Sequence, residues 1–342
     1  MFDIITFGSA ARDINLRSKA FKVLKDSKDF VTGEGLCLAL GSKIDVEDIK
    51  FTFGGGGTNT AVTFAKQGYK VAFCGAVGND IAGKEIVKEL KHLKINTGLV
   101  IKSKDKATNH SIIVSSDGKD RTILAYRGAA EILSKQNIPW EKIKNHLPVG
   151  KWIYLAPLSG LLCDTFEDIV NFAFENKIRI AVNPGNAQLS LPIDDLTRIL
   201  KKVDILILNK EEASFLTKIS FQDEAGIFKK IDEMCPGVAV MTKGGEGVVV
   251  SDGQYFYSAL PNPERKIVDT TGAGDSFAAG FLSDYIKYNG DIEKAIQLGL
   301  ANSEACLSGI GAKNGLLSRN SKFERVEVAK QLCSENGLCH PK

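Results

Sequence analysis

Between residues 150 and 242 the chain alternates short, wholly apolar runs with stretches of helical spacing, and this rhythm restricts the fold more than any other feature. Trp152-Ile153-Tyr154-Leu155-Ala156, Ile178–Val182, Val203–Leu208 and Val238–Met241 read as buried strands. Helices are expected around Phe166–Asn176, from Lys210 onward, and near Phe221–Met234. A strand that is apolar at every position has both faces covered, as in a mostly parallel sheet built from βαβ units. Ile4–Phe7 and Val71–Cys74 look like further members of that sheet, so the expected class is α/β.

Two stretches break the rhythm. Residues 17–53 hold the β-like segments Leu36–Leu40 and Ile49–Phe53. Residues 98–127 hold Ser111-Ile112-Ile113-Val114, an Asp117-Gly118 turn and Thr122–Tyr126, which together have a hairpin signature. Both read as a small β lobe outside the main sheet. The expected division is therefore an α/β body of residues 1–16, 54–97 and 128–342, with a lobe of 17–53 and 98–127. Residues 322–333 read as helical and the last few as a loose tail.

Length and charge exclude several classes. The chain has 342 residues, 44% of them hydrophobic and 25% charged, ample for a large core. A net charge of +3 gives no reason to expect a nucleic-acid or membrane-surface partner. The start shows no basic leader, and no apolar run reaches about 18 residues. The seven cysteines include no CxxC pair, and most sit in apolar runs, so they read as reduced core thiols of a cytoplasmic protein. Cys333, Cys339 and His340 invite a metal site, but zinc wants four well-spaced ligands, and a frayed tail is the preferred reading.

The strongest chemical signal is Asp269-Thr270-Thr271-Gly272-Ala273-Gly274-Asp275, followed by apolar residues at 277, 278, 281, 282, 285 and 286. That spacing is helical, so the glycines sit where a helix begins. First-turn amides have no intrahelical partner, and the helix dipole adds positive charge there. Gly272 and Gly274 let a phosphate approach the backbone, and Asp275 follows directly. An anion hole beside a carboxylate suits phosphoryl transfer to a hydroxyl. A plain N-cap with an acidic first turn is the bland alternative.

Three weaker signals accompany it. Gly54-Gly55-Gly56-Gly57-Thr58-Asn59 leads into a helix but is neither a Walker A loop nor a full Gly-x-Gly-x-x-Gly. It reads as backbone that touches a ligand, or as a hinge. Asn209-Lys210-Glu211-Glu212 stands at the carboxyl end of a strand, where open α/β sheets bind ligands. Asn209 and Glu212 can hold Mg2+ through its water shell, or can simply form a capping box. Thr242-Lys243-Gly244-Gly245-Glu246-Gly247 is a turn between strands and a candidate nucleotide contact. Asp13 and Asn15 follow the first strand and can bind polar groups, or serve as turn residues.

These residues resemble the PfkB/ribokinase family of carbohydrate and nucleoside kinases. Gly54–Asn59, with Gly75-Ala76-Val77-Gly78-Asn79-Asp80-Ile81-Ala82-Gly83, is similar to the family's N-terminal signature. Asp269–Asp275 resembles its C-terminal signature, and Asn209–Glu212 its Asn-x-x-Glu motif. The resemblance covers roughly residues 1–320. It implies a central, mostly parallel sheet with helices on both faces and a β-sheet lid over a sugar or nucleoside, with ATP, Mg2+ and in many members potassium as cofactors. It implies Asp275 as catalytic base and Gly272, Ala273 and Gly274 as the anion hole. Asp13, Asn15, Gly55, Gly56 and Asn59 would hold the substrate. Asn209, Thr242, Gly244, Gly247 and Asn302 would lie near the nucleotide. Asn209 and Glu212 would organise Mg2+, and Asp269 and Thr271 would bind potassium. Arg127 resembles an arginine of some ketose and keto-deoxy-sugar-acid kinases, or lies on the lid surface. A lid-to-lid homodimer, as occurs in the family, is expected from the open strand edges. The rival readings are a sugar-binding homologue without the reaction and a dinucleotide oxidoreductase, the latter lacking its glycine fingerprint.

Overall fold

Apolar residues at consecutive strand positions need partners on both sides, and the chain supplies two separate layers for them. The computed structural model describes residues 1–25, 34–115, 122–158, 162–337 and 339. A nine-stranded sheet forms the centre. Six strands are parallel, in the spatial order Val71–Cys74, Ile4–Phe7, Trp152–Leu155, Arg179–Val182, Ile205–Asn209 and Val238–Thr242. Val248–Ser251, Tyr255–Ala259 and Val328–Leu332 continue it antiparallel.

Alternate residues of the same strand enter different cores. Ile5, Ile153 and Leu155 pack with Phe166, Ile199, Phe228 and Ile231 on one face. Ile4, Phe73 and Tyr154 pack with Phe64, Phe277, Phe281 and Ile296 on the other. This two-sided demand is why the strands carry no polar alternation. Helices Gly56–Lys66 and Ala273–Lys287 lie side by side on the second face. Their N-termini both stand at the carboxyl end of the parallel strands.

A separate four-stranded sheet is built from Thr122–Tyr126, Asn109–Ser115, Ala11–Arg17 and Asp48–Gly54. Ala11–Arg17 is hydrogen-bonded between Asp48–Gly54 and Asn109–Ser115, so residues 11–16 belong with this lobe and not with the α/β body. Lys22–Lys25 and Glu34–Cys37 form a small ribbon. The expected Asp117-Gly118 turn and His340 lie outside the described residues.

The C-terminal region departs from expectation. Residues 322–333 are not a helix. Val328–Leu332 is a strand on the open edge of Tyr255–Ala259, followed by the single turn Cys333–Asn336. An unpaired sheet edge offers a row of donors and acceptors, and this outweighs a weak helical periodicity. Cys333 and Cys339 are joined in a disulfide and buried, which corrects their reading as reduced thiols in a frayed tail. Cys37, Cys74, Cys235 and Cys306 are in no disulfide; Cys37 is half-buried and the other three are buried. Among the described residues no helix is long and apolar enough to cross a membrane.

The tetraglycine run is a packing device as much as a loop. The helix begins inside it, at Gly56, and the Gly57 amide donates to the Ser9 carbonyl at 3.1 Å. A Cβ on Gly57 would stand 2.8 Å from the Gly8 carbonyl carbon and 2.7 Å from the Phe73 ring. Backbone cannot step aside cheaply, so Gly57→Ala is expected to cost about 1–3 kcal/mol. A lowered urea midpoint with unchanged slope would record it.

Candidate active site

Asp275 sits in the first turn of helix Ala273–Lys287, which begins at Gly272. Gly272 is left-handed, with φ +79°, and a Cβ there would run into Ala312. Only glycine combines that backbone with that proximity. The amides of Gly272, Gly274 and Asp275 make no hydrogen bond among the described residues, and that of Ala273 reaches only 3.4 Å to the Thr270 carbonyl. The first regular bond is from Ser276 to the Gly272 carbonyl, 2.9 Å. Unpaired amides at a helix N-terminus therefore lie beside a carboxylate, as the sequence implies.

That carboxylate faces a cleft of about 220 Å³, also lined by Asn183, Asn209, Glu212, Thr242 and Thr270. Asp275 Oδ2 accepts from Asn59 Nδ2 at 2.8 Å. Burial pushes the Asp275 carboxyl above the ordinary range, and the Asn59 bond works against that shift. Gly56 packs close by, with its would-be Cβ 3.3 Å from Asp275 Oδ1.

Asn209 and Glu212 form the capping box that is one reading of their motif. Asn209 Oδ1 accepts from the Glu212 amide at 2.7 Å and Glu212 Oε2 from the Asn209 amide at 2.9 Å, a complete capping box. The same Glu212 carboxyl lines the cleft. Burial raises it to about 7, the Asn209 amide opposes this, and the neighbouring Asp275 adds repulsion. Two carboxyls held in one cleft at raised affinity for protons form a setting that a divalent cation would relieve. Among the described residues no cluster of three or more metal-ligating side chains exists, so such a cation would keep water and phosphate ligands.

Other expected residues divide. Thr242 pairs with Asn209 across neighbouring strands and lines the cleft. Gly244 and Gly247 close a tight turn, with Lys243 donating to the Gly247 carbonyl at 2.8 Å. Asn302 is fully buried and cannot touch a nucleotide, which corrects its expected place. It donates to the Ser276 carbonyl at 2.8 Å and accepts from the Leu317 amide at 2.9 Å, so it ties helix to helix. Asp269 closes a turn: Oδ1 accepts from Thr271 N and Oγ1 at 2.9 and 2.7 Å, and Oδ2 accepts from the Gly311 amide at 2.8 Å.

On the small sheet, Asp13 is buried and Asn15 donates to Thr52 Oγ1 at 3.3 Å. Gly55 caps the Asn59 helix at φ +96°. Arg127 is exposed where strand Thr122–Tyr126 ends and the short 3-10 helix Gly128–Ile132 begins. Sequence reasoning missed Asn183, which enters the cleft from the end of Arg179–Val182 and donates to the Ile207 carbonyl at 2.9 Å. Its signal was available as a polar residue directly after an all-apolar strand. It missed Tyr154 as well, whose fully buried hydroxyl has no partner among the described residues and feels both Asp275 and Glu212.

Comparisons with known proteins identify the fold and the family. A ribokinase from Lactococcus lactis is 30% identical over 310 residues, covering 88% of this chain and 96% of its own. A nucleoside kinase from Methanocaldococcus jannaschii is 26% identical over 290 residues, 84% of this chain and 89% of its own. Among solved structures, the fold is shared with Arabidopsis thaliana ribokinase complexed with ribose and ATP, at TM-score 0.75 and 21% identity over 94% of this chain and 99% of that one. The pattern of pfkB family carbohydrate kinases matches residues 2–319, and the chain belongs to that family of phosphotransferases.

Proposed function

We propose that this kinase transfers the γ-phosphoryl group of ATP to a hydroxyl of a free sugar, with Asp275 as general base. The observation that carries the reading is a cleft-facing carboxylate beside unpaired helix amides. Asp275 takes the acceptor's hydroxyl proton as that oxygen attacks the γ-phosphorus in line and the bond to the ADP oxygen breaks. The amides of Gly272, Ala273 and Gly274 hold the charge on the transferring group. Asn59 fixes the carboxylate through its 2.8 Å bond. Asp13, Asn15, Gly55, Gly56 and Asn59 are assigned to the acceptor. Asn209, Thr242 and the Gly244–Gly247 turn are assigned to the nucleotide.

Asn209 and Glu212 would hold hydrated Mg2+, which when bound neutralises phosphate charge. Both Asp269 oxygens already accept hydrogen bonds, so a potassium ion at this turn would lean on main-chain carbonyls. Replacing potassium by tetramethylammonium in the assay measures its contribution.

A nucleoside acceptor is the second reading, favoured by the similarity to nucleoside kinases. A panel of ribose, fructose, 2-keto-3-deoxygluconate, adenosine, inosine and cytidine with ADP release as readout separates the two. No turnover of any acceptor, with saturable sugar binding, would replace both by a non-catalytic sugar-binding role. The exposed Arg127 is assigned to an acidic group of the acceptor, and the keto-acid arm tests it.

The small sheet bears an apolar outer face. Phe51, Ile14, Ile112 and Leu124 stand in register across its four strands, and Phe51 and Leu124 are exposed. We assign this face to a homodimer contact between lobes. Phe51→Glu is expected to give a monomer by sedimentation, and a wild type that is already monomeric at micromolar concentration refutes the assignment.

Two kinetic outcomes are expected for Asp275. Asp275→Asn should lose at least about 100- to 10,000-fold in kcat while binding ATP normally; near wild-type turnover would refute the base assignment. The carboxylate is the active form and burial raises its affinity for protons. Activity therefore falls as pH drops through a value above the ordinary carboxylate range. Asn59→Ala removes the opposing bond and should move that acid limb to higher pH in a kcat profile.

A further inference from the structure

Lys313 is a cation held almost out of water. Its side chain is 9% exposed, and Nζ lies 2.7 Å from Glu89 Oε2 on helix Ile81–His92. Burial pushes the ammonium's proton affinity down, and Glu89 restores part of it. A lone buried Lys–Glu pair is weak evidence of anything but a staple. The surroundings of this pair point further.

Lys313 lies in the loop that follows helix Ile292–Leu307, and this loop is wedged between the small sheet and the turn before the anion hole. Two residues earlier, the Gly311 amide donates to Asp269 Oδ2 at 2.8 Å. A Cβ on Gly311 would stand 3.1 Å from Thr52 Cγ2. Thr52 is the direct cross-strand partner of Asp13. Asp13 is itself buried, with its carboxylate pressed over Gly54, where a Cβ would collide with it.

A carboxylate in that position needs help to stay charged. Burial is the largest influence and raises its proton affinity. The Ser111 hydroxyl, Lys313 and His110 oppose burial, and Asp269 reinforces it.

We propose that Lys313 is a positioning residue of the acceptor site: anchored by Glu89, its ammonium holds Asp13 as the anion that receives the acceptor's hydroxyl hydrogens. A neutral Asp13 would offer one donor and a weaker acceptor, and would bind a polyol less tightly. The inference rests on the assignment of Asp13 to the acceptor given above. It goes beyond that assignment by naming the group that sets the charge.

The test is steady-state kinetics of Lys313→Met, Lys313→Arg, Glu89→Gln and Asp13→Asn, using the panel acceptor with the highest kcat/KM, from acidic to neutral pH. Lys313→Met should raise acceptor KM about tenfold, with kcat within about threefold, and should shift the acid-side rise of KM to higher pH. Lys313→Arg should restore most of the loss. Glu89→Gln keeps a hydrogen-bond acceptor for Lys313 but not the charge, so it should lower the melting temperature and raise acceptor KM by less than Lys313→Met does. If Lys313→Met and Glu89→Gln lose stability alike and neither moves KM or its pH profile, Lys313 is only a staple and the proposal falls. If Asp13→Asn also leaves KM unchanged, the acceptor assignment of Asp13 falls with it. A raised KM in Asp13→Asn beside an unaffected Lys313→Met sinks the role of Lys313 alone. Should Lys313→Met fail to fold, Lys313→Gln against Lys313→Arg carries the same comparison.

Discussion

Asn59 and Asp275 are 216 positions apart in sequence and meet through one 2.8 Å hydrogen bond. Each stands near the start of a helix, and both helices cover the same face of the sheet. Bringing two helix N-termini together concentrates partial positive charge, which a buried carboxylate can accept. The close approach requires glycine at Gly57 against Gly8, and a left-handed glycine at Gly272 against Ala312. Asn302 adds a link between the two helices, since its amide donates to the Ser276 carbonyl at 2.8 Å and reaches Thr63 Oγ1 of the Asn59 helix at 3.5 Å.

The electrostatics of the cleft follow from the same crowding. Asp275 and Glu212 both prefer the proton more than free carboxyls do, mainly because they are buried, and Glu212 also because it feels Asp275. A protein that sought stability alone would separate or neutralise them. Retaining them beside unpaired amides puts partial negative and partial positive charge on opposite sides of one cleft.

The sheet, its two-sided cores and the start of the Asp275 helix were legible because they rest on local rules: apolar continuity and glycine before a helical period. Asn209 and Glu212 were legible too, as a capping box; that they also line the cleft was not, because it depends on how the Asp275 helix packs against them. Asn302 was not legible: helical position says nothing of which side faces a cavity, and its amide groups are spent on Ser276 and Leu317. Asn183 escaped because one polar residue at a strand end is common. The terminal strand escaped because edge pairing depends on a partner more than 70 residues away, Tyr255 opposite Leu332. The lobe boundary at Ala11 failed for a related reason, since Ala11–Arg17 pairs with strands that begin far downstream.

That terminal strand lies past the 2–319 span shared with the family. It places Lys330 over the rings of Tyr255 and Tyr257, at 4.2 and 5.3 Å. The hydrogen-bonding rim presented to other molecules thus belongs to a Val-Ala-Lys-Gln-Leu segment instead of to an aromatic one. Lysine on an outermost strand disfavours the pairing of one chain's edge with another's.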